Sequence, residues 1–434
     1  MNYKEALQYI HSTYKFGSKL GLENITYLLN LLGNPQKDLK CIHVAGTNGK
    51  GSTCTMLSYI LTDAGFKTGL FTSPYLEDFR ERIQIDNELM EEDELVNSVS
   101  IVKAAIEIMI KDGRNHPTEF EIVTAIAFYY FNLKQVDLVV LEVGMGGRLD
   151  ATNVIQKPEV VVITSISKDH SEYLGDTVEL IAYEKASIIK KGCQVVVYPQ
   201  KGSVYNVIRE IAFNNISRIH QVDKNHIEIL AFGPEGQKLK YLNPETNTGI
   251  DEFDLSLIGA HQSINSLTVL KTLEILINKG YNISKENILN GMKTVKFMGR
   301  MEILSRNPMI IIDGAHNPDG IANLSSNIRD YFSGYNVHLF FGMLADKDIS
   351  SSIKMLMPYC KSAVTLTPNN SRAQKAEDTA EMFRSLTDME VTSCDDIEGS
   401  TELIKTGEND VNIFCGSLYM IGDARRAINE YLNK

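Results

Sequence analysis

The sequence contains no apolar run approaching the roughly 20 residues that a membrane-spanning helix needs. Its opening, MNYKEALQYIH, places Glu5 early and has no apolar core, so it reads as the first turns of an amphipathic helix rather than a signal peptide. Positive charge is also in deficit. Lys plus Arg number 43 against 55 Asp plus Glu, a net charge of −12. A general nucleic-acid binder needs a basic surface to neutralise phosphates, so that class is excluded. Small polyanions remain admissible if a basic site lies inside the acidic shell. The six cysteines, at 41, 54, 193, 360, 394 and 415, form no CxxC pair. A zinc site or disulfide framework is therefore not expected, and the usage fits a reducing, cytoplasmic setting. Cys41 and Cys415 lie in apolar β-like runs and read as buried thiols. No fixed-period repeat and no low-complexity tract is present.

What the 434 residues do contain is an alternation of short β-rich runs with longer helical ones. At roughly 150 residues per domain, this length allows two or three domains. Residues 40–45 (KCIHVA) read as a strand, followed by a glycine-rich turn and a helix over about 51–64. Residues 67–71 form a second strand. Residues 136–143 and 159–165 are near-continuous β-branched runs, the mark of strands buried on both faces. This pattern predicts a mostly parallel sheet covered by helices. Residues 202–258 are irregular, with NPETNTG at their polar centre, and suggest short antiparallel strands or a peripheral subregion. A helix resumes over 259–280. A second βα series begins near Val295, with candidate strands at 309–313, 336–341, 362–366, 390–392 and 411–415. The expected boundary lies near Lys296, giving domains 1–295 and 296–434.

The segment Gly46, Thr47, Asn48, Gly49, Lys50, Gly51, Ser52, Thr53 follows a strand and opens a helix, which is the setting a phosphate-binding loop requires. Glycines let backbone N–H groups converge on phosphate oxygens, and a helix N-terminus adds about half a positive charge. Lys50 is placed to reach the β- and γ-phosphates. The common loop has Ser or Thr directly after the lysine as a Mg²⁺ ligand. Here that residue is Gly51, so the metal ligand is expected elsewhere. Ser73, in the turn after the second strand, is a candidate, with an ordinary turn role as the alternative.

The HVAGTNGKGST loop resembles that of the Mur ligase superfamily, and the added glycine of GKGS resembles its folylpolyglutamate synthase and dihydrofolate synthase branch. The segments FTSPYLEDFRERIQID (71–86), TEFEIVTAIAF (118–128), LEVGMGGRLDATN (141–153), YEKASIIK (183–190), IIDGAHNPDG (311–320) and GSLYMIGDAR (416–425) match in the same order. The resemblance implies a P-loop ATP- and pterin-binding domain followed by a C-terminal Rossmann-like domain that helps close over nucleotide and glutamate. It implies an ATP-dependent ligase that joins L-glutamate to a dihydropteroate or reduced folate carboxylate through an acyl phosphate. GGRLDATN resembles bifunctional members. A folylpolyglutamate synthase only, or another Mur-type amino-acid ligase, is the alternative. The muropeptide branch usually carries an additional N-terminal domain, for which a loop beginning at Gly46 leaves no room.

Glu142 ends the run VDLVVLE. A carboxylate at the carboxyl end of a parallel strand points into the crevice where such sheets bind ligands, so Glu142 is the natural Mg²⁺ ligand. The resemblance makes His170 a ligand for a second Mg²⁺, although this ion prefers oxygen. It makes Lys185 a carbamylated lysine; read alone, that residue is a solvated surface lysine. It also assigns Gln262 and Asn265 to the nucleotide, Asn265 being otherwise a polar residue of a helix N-terminus. Arg300, after the linker, and Asp313 and His316, just past a strand end, face the crevice and are read as nucleotide residues, with His316 approaching glutamate. Ser417, at the start of the last helix, is placed to receive the glutamate carboxylate. For the pterin end the candidates are Phe120, Arg148 and Asp150. Phe120 is either a stacking ring or helical core, and Arg82 either holds a substrate carboxylate or decorates a strand. The expected partners are small molecules, with a monomer as the default.

Overall fold

The computed structural model describes residues 1–17, 21–169, 171–243 and 246–433. The chain divides into two compact units. The first comprises Met1–Glu228, Lys240–Phe253 and Ile264–Val295; the second comprises Ile229–Leu239, Asp254–Ser263 and Lys296–Lys434.

The first unit is built on an eight-stranded sheet. Its strands are β1 (Cys41–Ala45), β2 (Thr68–Phe71), β3 (Ile83–Ile85), β4 (Glu88–Leu89), β5 (Leu138–Glu142), β6 (Val160–Ile163), β7 (Gln194–Val197) and β8 (Arg218–Gln221). The order is β4-β3-β2-β5-β1-β6-β7-β8. All neighbours are parallel except the β2–β3 and β3–β4 pairs. The four strands β1, β5, β6 and β2 are buried along their whole length, as their β-branched runs require. Helices cover both faces. On one side Ile10, Leu28, Val99, Ile126 and Phe131 pack with Val139 and Leu141. On the other, Ile181, Ile188 and Ile208 pack with Val161, Ile163 and Val195.

The stretch 202–258 corrects the reading as an irregular region. Gly202–Asn214 is an α-helix, burying Val204, Ile208 and Ala212 at a four-residue spacing, and β8 joins the main sheet as a parallel edge strand. The remainder forms a small sheet of β9 (Ile227–Gly233), β10 (Gly236–Tyr241) and β11 (Glu252–Leu255), in the order β11-β10-β9.

The second unit has a six-stranded sheet of β12 (Glu302–Arg306), β13 (Met309–Asp313), β14 (Asn336–Phe341), β15 (Ser362–Leu366), β16 (Glu390–Cys394) and β17 (Asp410–Cys415). The order is β12-β13-β17-β14-β15-β16. Only β12 is antiparallel. Its core joins Ile311, Leu339, Phe341 and Ile413 to Ile321, Ile328 and Ile353 from the covering helices. Among the described residues no helix is long and apolar enough to cross a membrane. All six cysteines are free, and Cys41 and Cys415 are buried as expected.

Candidate active site

In the first unit β1 lies between β5 and β6, with Val44 opposite Glu142 and Ala45 opposite Ile163. The chain order reverses at this point, so the loops leaving β1, β5 and β6 open a crevice at the carboxyl edge of the sheet. The loop after β1 can only be glycine at two places. A Cβ on Gly46 would run into the Thr164 side chain. Gly49 has φ +85°, and a Cβ there would stand 2.7 Å from Asn265 Oδ1. Gly49 is also the N-cap of the helix Lys50–Asp63 and offers no side chain to it. The N-cap of this four-turn helix thus puts no side chain over its N-terminus, which suits an anion. Thr47 stitches the loop to the segment after β6. Its N–H donates to Ser165 O at 2.7 Å, and its hydroxyl donates to Ser167 O at 3.0 Å. Ser52 and Thr53 are buried, and Thr53 Oγ1 has no hydrogen-bond partner in the protein.

Glu142, the last residue of β5, is almost fully buried. Its Oε1 lies 4.0 Å from Lys50 Nζ, and its Oε2 accepts from the Ser73 N–H at 3.2 Å. Lys50 Nζ also donates to Thr47 O at 3.2 Å. A helix start, a strand end and a turn thus bring Lys50, Glu142 and Ser73 together. Lys185 corrects the surface reading. The helix Val178–Ala186 buries Ile181, Ala182, Lys185 and Ala186 on one face, and Lys185 is only 4% exposed. Its Nζ donates to Gly46 O at 2.8 Å, directly beneath the phosphate loop. Burial, and secondarily the charge of Lys50, pull its pKa down from 10.5 to about 7. His170 lies outside the described residues. Among those described, no three His, Cys, Asp or Glu side chains converge as a metal cage would. The arrangement suits instead an ion shared with phosphate oxygens. A buried carboxylate stands beside a lysine, and a buried Thr53 hydroxyl lacks a protein partner.

The pterin candidates fare differently. Phe120 sits in the first turn of the helix Glu119–Leu133, which Thr118 and Glu121 cap reciprocally. Its ring occupies the space that any side chain at Gly144 would need, and it tilts against Phe71 at 5.9 Å. Phe120 thus packs on the loop that follows Glu142. Arg148 is engaged with Glu184, whose Oε1 accepts from Nε at 3.0 Å and lies 2.9 Å from Nη2. Asp150 is buried and turned toward its own loop. Oδ2 accepts from Met145 N at 2.9 Å, and Oδ1 accepts from Thr152 N at 3.0 Å and Thr152 Oγ1 at 2.6 Å. Burial raises its pKa, with those hydrogen bonds opposing. Arg82 lies over the rings of Tyr75 and Phe79 at 5.2 and 5.5 Å, with Nη1 3.7 Å from Glu119 Oε1. Sequence reasoning missed Glu81, whose carboxylate accepts from the N–H groups of Leu76, Glu77 and Asp78 at 2.6, 2.9 and 2.8 Å. Those bonds fix the loop that begins at Ser73. The Asp78–Glu81 capping pattern was the available signal.

In the second unit Asp313 ends β13 beside Cys415, the end of β17. Its Oδ1 accepts from Ala315 N and its Oδ2 from Met301 N, both at 2.9 Å. Burial raises its pKa, and Arg300 opposes that shift. Arg300 stacks toward Phe297 at 5.8 Å. His316 Nδ1 donates to Gly314 O at 2.8 Å, so the neutral ring carries its lone pair on Nε2. Ser417 is the buried N-cap of the helix Leu418–Leu432, and its side chain makes no capping bond. Gln262 and Asn265 are both buried on the helix Ala260–Asn278, Gln262 in the second unit and Asn265 in the first.

These features define a phosphate-loop protein with a second, parallel-sheet unit. The Mur ligase middle domain matches residues 44–273, and the Mur ligase glutamate ligase domain matches residues 299–418. The dihydrofolate synthase/folylpolyglutamate synthase of Bacillus subtilis is 34% identical over 432 residues, 98% of this chain and 99% of the relative. Among solved structures, a folylpolyglutamate synthase from Thermotoga maritima aligns with a TM-score of 0.87 at 33% identity, covering 98% of this chain and 96% of that one. The Mycobacterium tuberculosis folylpolyglutamate synthase complexed with ADP and AMPPCP aligns with a TM-score of 0.87 at 28% identity, covering 98% of each chain. The chain belongs to the Mur ligase family, in the branch of its dihydrofolate synthase and folylpolyglutamate synthase relatives.

Proposed function

We propose that this chain is bifunctional, adding the first glutamate to dihydropteroate and extending the glutamate tail of reduced folates. The coarser activity is that of its branch: it is an ATP-dependent ligase that joins L-glutamate to folate-type carboxylates. A carboxylate and an amine do not condense at neutral pH. ATP activates the carboxylate as an acyl phosphate, releasing ADP. The glutamate amine then attacks the acyl carbon, and the tetrahedral intermediate expels phosphate. Crowded anions must be neutralised and held in line throughout.

The observation that carries this reading is the approach of Lys50 to Glu142 at 4.0 Å at the start of a helix whose N-cap is a glycine. In it, Gly46 to Thr53 cradle the phosphates, and Lys50 bears on the β- and γ-phosphoryl oxygens. Glu142, Ser73 and His170 would hold Mg²⁺, which when bound draws charge from those oxygens. Lys185, as a carbamate, would add an anion to that shell. A lysine with a pKa of about 7 supports this, because a neutral amine is the form that reacts with carbon dioxide. Phe120 stacks on the pterin, and Arg82 meets a substrate carboxylate. Arg148 and Asp150 shape the loop after Glu142 around the pterin. Residues 1–295 supply ATP and pterin binding. From residues 296–434, Arg300, Asp313 and His316 serve the nucleotide, and Ser417 at its helix N-terminus receives the glutamate carboxylate, while Gln262 and Asn265 serve the nucleotide from their shared helix.

The test is ADP release by the purified chain with ATP, Mg²⁺ and L-glutamate, using dihydropteroate and tetrahydrofolate separately. Release with both substrates is expected. Release with tetrahydrofolate alone reduces the chain to a folylpolyglutamate synthase, and release with neither overturns the reading.

A further inference from the structure

We infer that Arg425 and Glu302 are positioning residues for Arg300; this rests on the reading that Arg300 meets nucleotide phosphate. Arg300 stands between two residues in the left-handed region, Gly299 at φ +68° and Met301 at φ +46°. Glycine adopts that conformation freely. A methionine does so only where its surroundings hold it. Three hydrogen bonds do the holding. Gly299 N donates to Glu302 Oε2 at 2.7 Å, Gly314 N donates to Gly299 O at 2.8 Å, and Met301 N donates to Asp313 Oδ2 at 2.9 Å. Arg425 completes the set, its Nε and Nη2 donating to Glu302 Oε1 at 3.1 and 3.0 Å.

Glu302 therefore divides its carboxylate between two tasks. One oxygen takes the N–H of the turn, and the other takes the guanidinium of Arg425. Both side chains of the pair are about four-fifths buried, 20% and 19% exposed, where a charge-assisted contact is little screened by water. Without Arg425, the carboxylate two residues from Arg300 in sequence would be unneutralised and free to turn away from Gly299. The backbone of Arg300 would then lose the anchor on its N-terminal side. Its guanidinium has little room for error. It crosses Gly314 so closely that a Cβ there would collide with Nη1. Arg425 comes from GSLYMIGDAR, a segment for which the ligase reading otherwise assigns only Ser417. It sits on the helix Leu418–Leu432, so the same helix that offers Ser417 also anchors the Arg300 turn.

The test measures binding of the Mg²⁺ complex of AMPPCP by calorimetry and the KM for each substrate, in Arg425→Gln, Glu302→Gln and Arg300→Ala and in the Arg425→Gln/Arg300→Ala double variant. Arg425→Gln and Glu302→Gln should each weaken nucleotide binding about fivefold or more, with KM for L-glutamate and the folate within about twofold of the parent. In the Arg300→Ala background, Arg425→Gln should add less than about twofold, because there is no guanidinium left to position. Arg425→Lys, which keeps the charge but not the fork, should fall between, and it carries the test should the glutamine variant fail to fold. Nucleotide binding unchanged in both Arg425 variants, or a loss that multiplies in full with Arg300→Ala, overturns the inference. If Arg300→Ala alone binds AMPPCP as the parent does, the nucleotide role of Arg300 falls and takes the inference with it. If only that variant weakens binding, the inference alone falls.

Discussion

Lys185 has the same chemistry in the sequence as any other lysine, and only its surroundings make it unusual. A lysine in the last turn of a helix reads as solvated, and nothing local signals that both the helix face and the phosphate loop close over it. Once buried, its ammonium is penalised, and the pKa of about 7 follows. The sign of the stability effect is definite. The folded pKa lies below the unfolded value of 10.5, so between about pH 7 and 10.5 the unfolded chain holds more protons and stability rises with pH. Lys185→Met should therefore melt at a higher temperature than the unmodified parent at pH 6, and the gap should close as pH approaches 10. Activity should move the other way for the variant, which cannot form a carbamate. In the parent, turnover should climb as pH rises through about 7, and added bicarbonate should raise it on the acid side. A bicarbonate-insensitive rate, with intact mass showing unmodified Lys185, would remove the carbamate from the scheme. Arg148 and Asp150 show the converse. As polar residues in a glycine-rich loop they read as ligands, yet their groups are turned to Glu184 and to the loop's own N–H groups.

At the scale of elements, the strands that carry the site were the easiest to read, because burial on both faces leaves a continuous β-branched run. Edge elements lack that constraint. β12 is half-exposed, with a register shift between Ile303 and Ser305, so it shows no apolar run at all. The helix Gly202–Asn214 was legible at Val204, Ile208 and Ala212, but it was obscured by the polar stretch beyond it. The helix Glu119–Leu133 shows how an element end is set by its cap. Thr118 accepts from Glu121 N and donates to its carboxylate, fixing the turn that presents Phe120. Thr118→Ala should cost about 1 kcal/mol, measured by urea unfolding. It should also raise the KM for dihydropteroate more than the KM for ATP. An equal rise in both would mean that Phe120 does not face the pterin.

For the whole chain, the acidic balance of −12 and a set of anionic ligands are compatible because charge is local. Lys50, at the start of its helix, and Arg300, crossing Gly314, each place a positive charge near the carboxyl edge of its own sheet. Ligand binding should then be visible as stability. AMPPCP with Mg²⁺ at a hundred times its Kd should stabilise the chain by about 2.7 kcal/mol, read as a rise in Tm. Lys50→Ala should abolish both that rise and turnover, and EDTA should abolish turnover in the parent. A full thermal shift in Lys50→Ala would displace the nucleotide from the loop at Gly46.

Residue order along the chain is enough to specify the parallel βα architecture, the phosphate loop and the carboxylate at the end of β5. Each of these depends on local spacing: a strand, a glycine turn and a helix start are contiguous in the chain. Which polar side chains are engaged by the protein itself becomes visible when the chain is folded. That depends on partners distant in sequence: Glu184 for Arg148, the Gly46 carbonyl for Lys185, and Glu302 with Arg425 for the turn at Arg300. Hydrogen bonding and burial are satisfied in space, and no spacing along the chain records them.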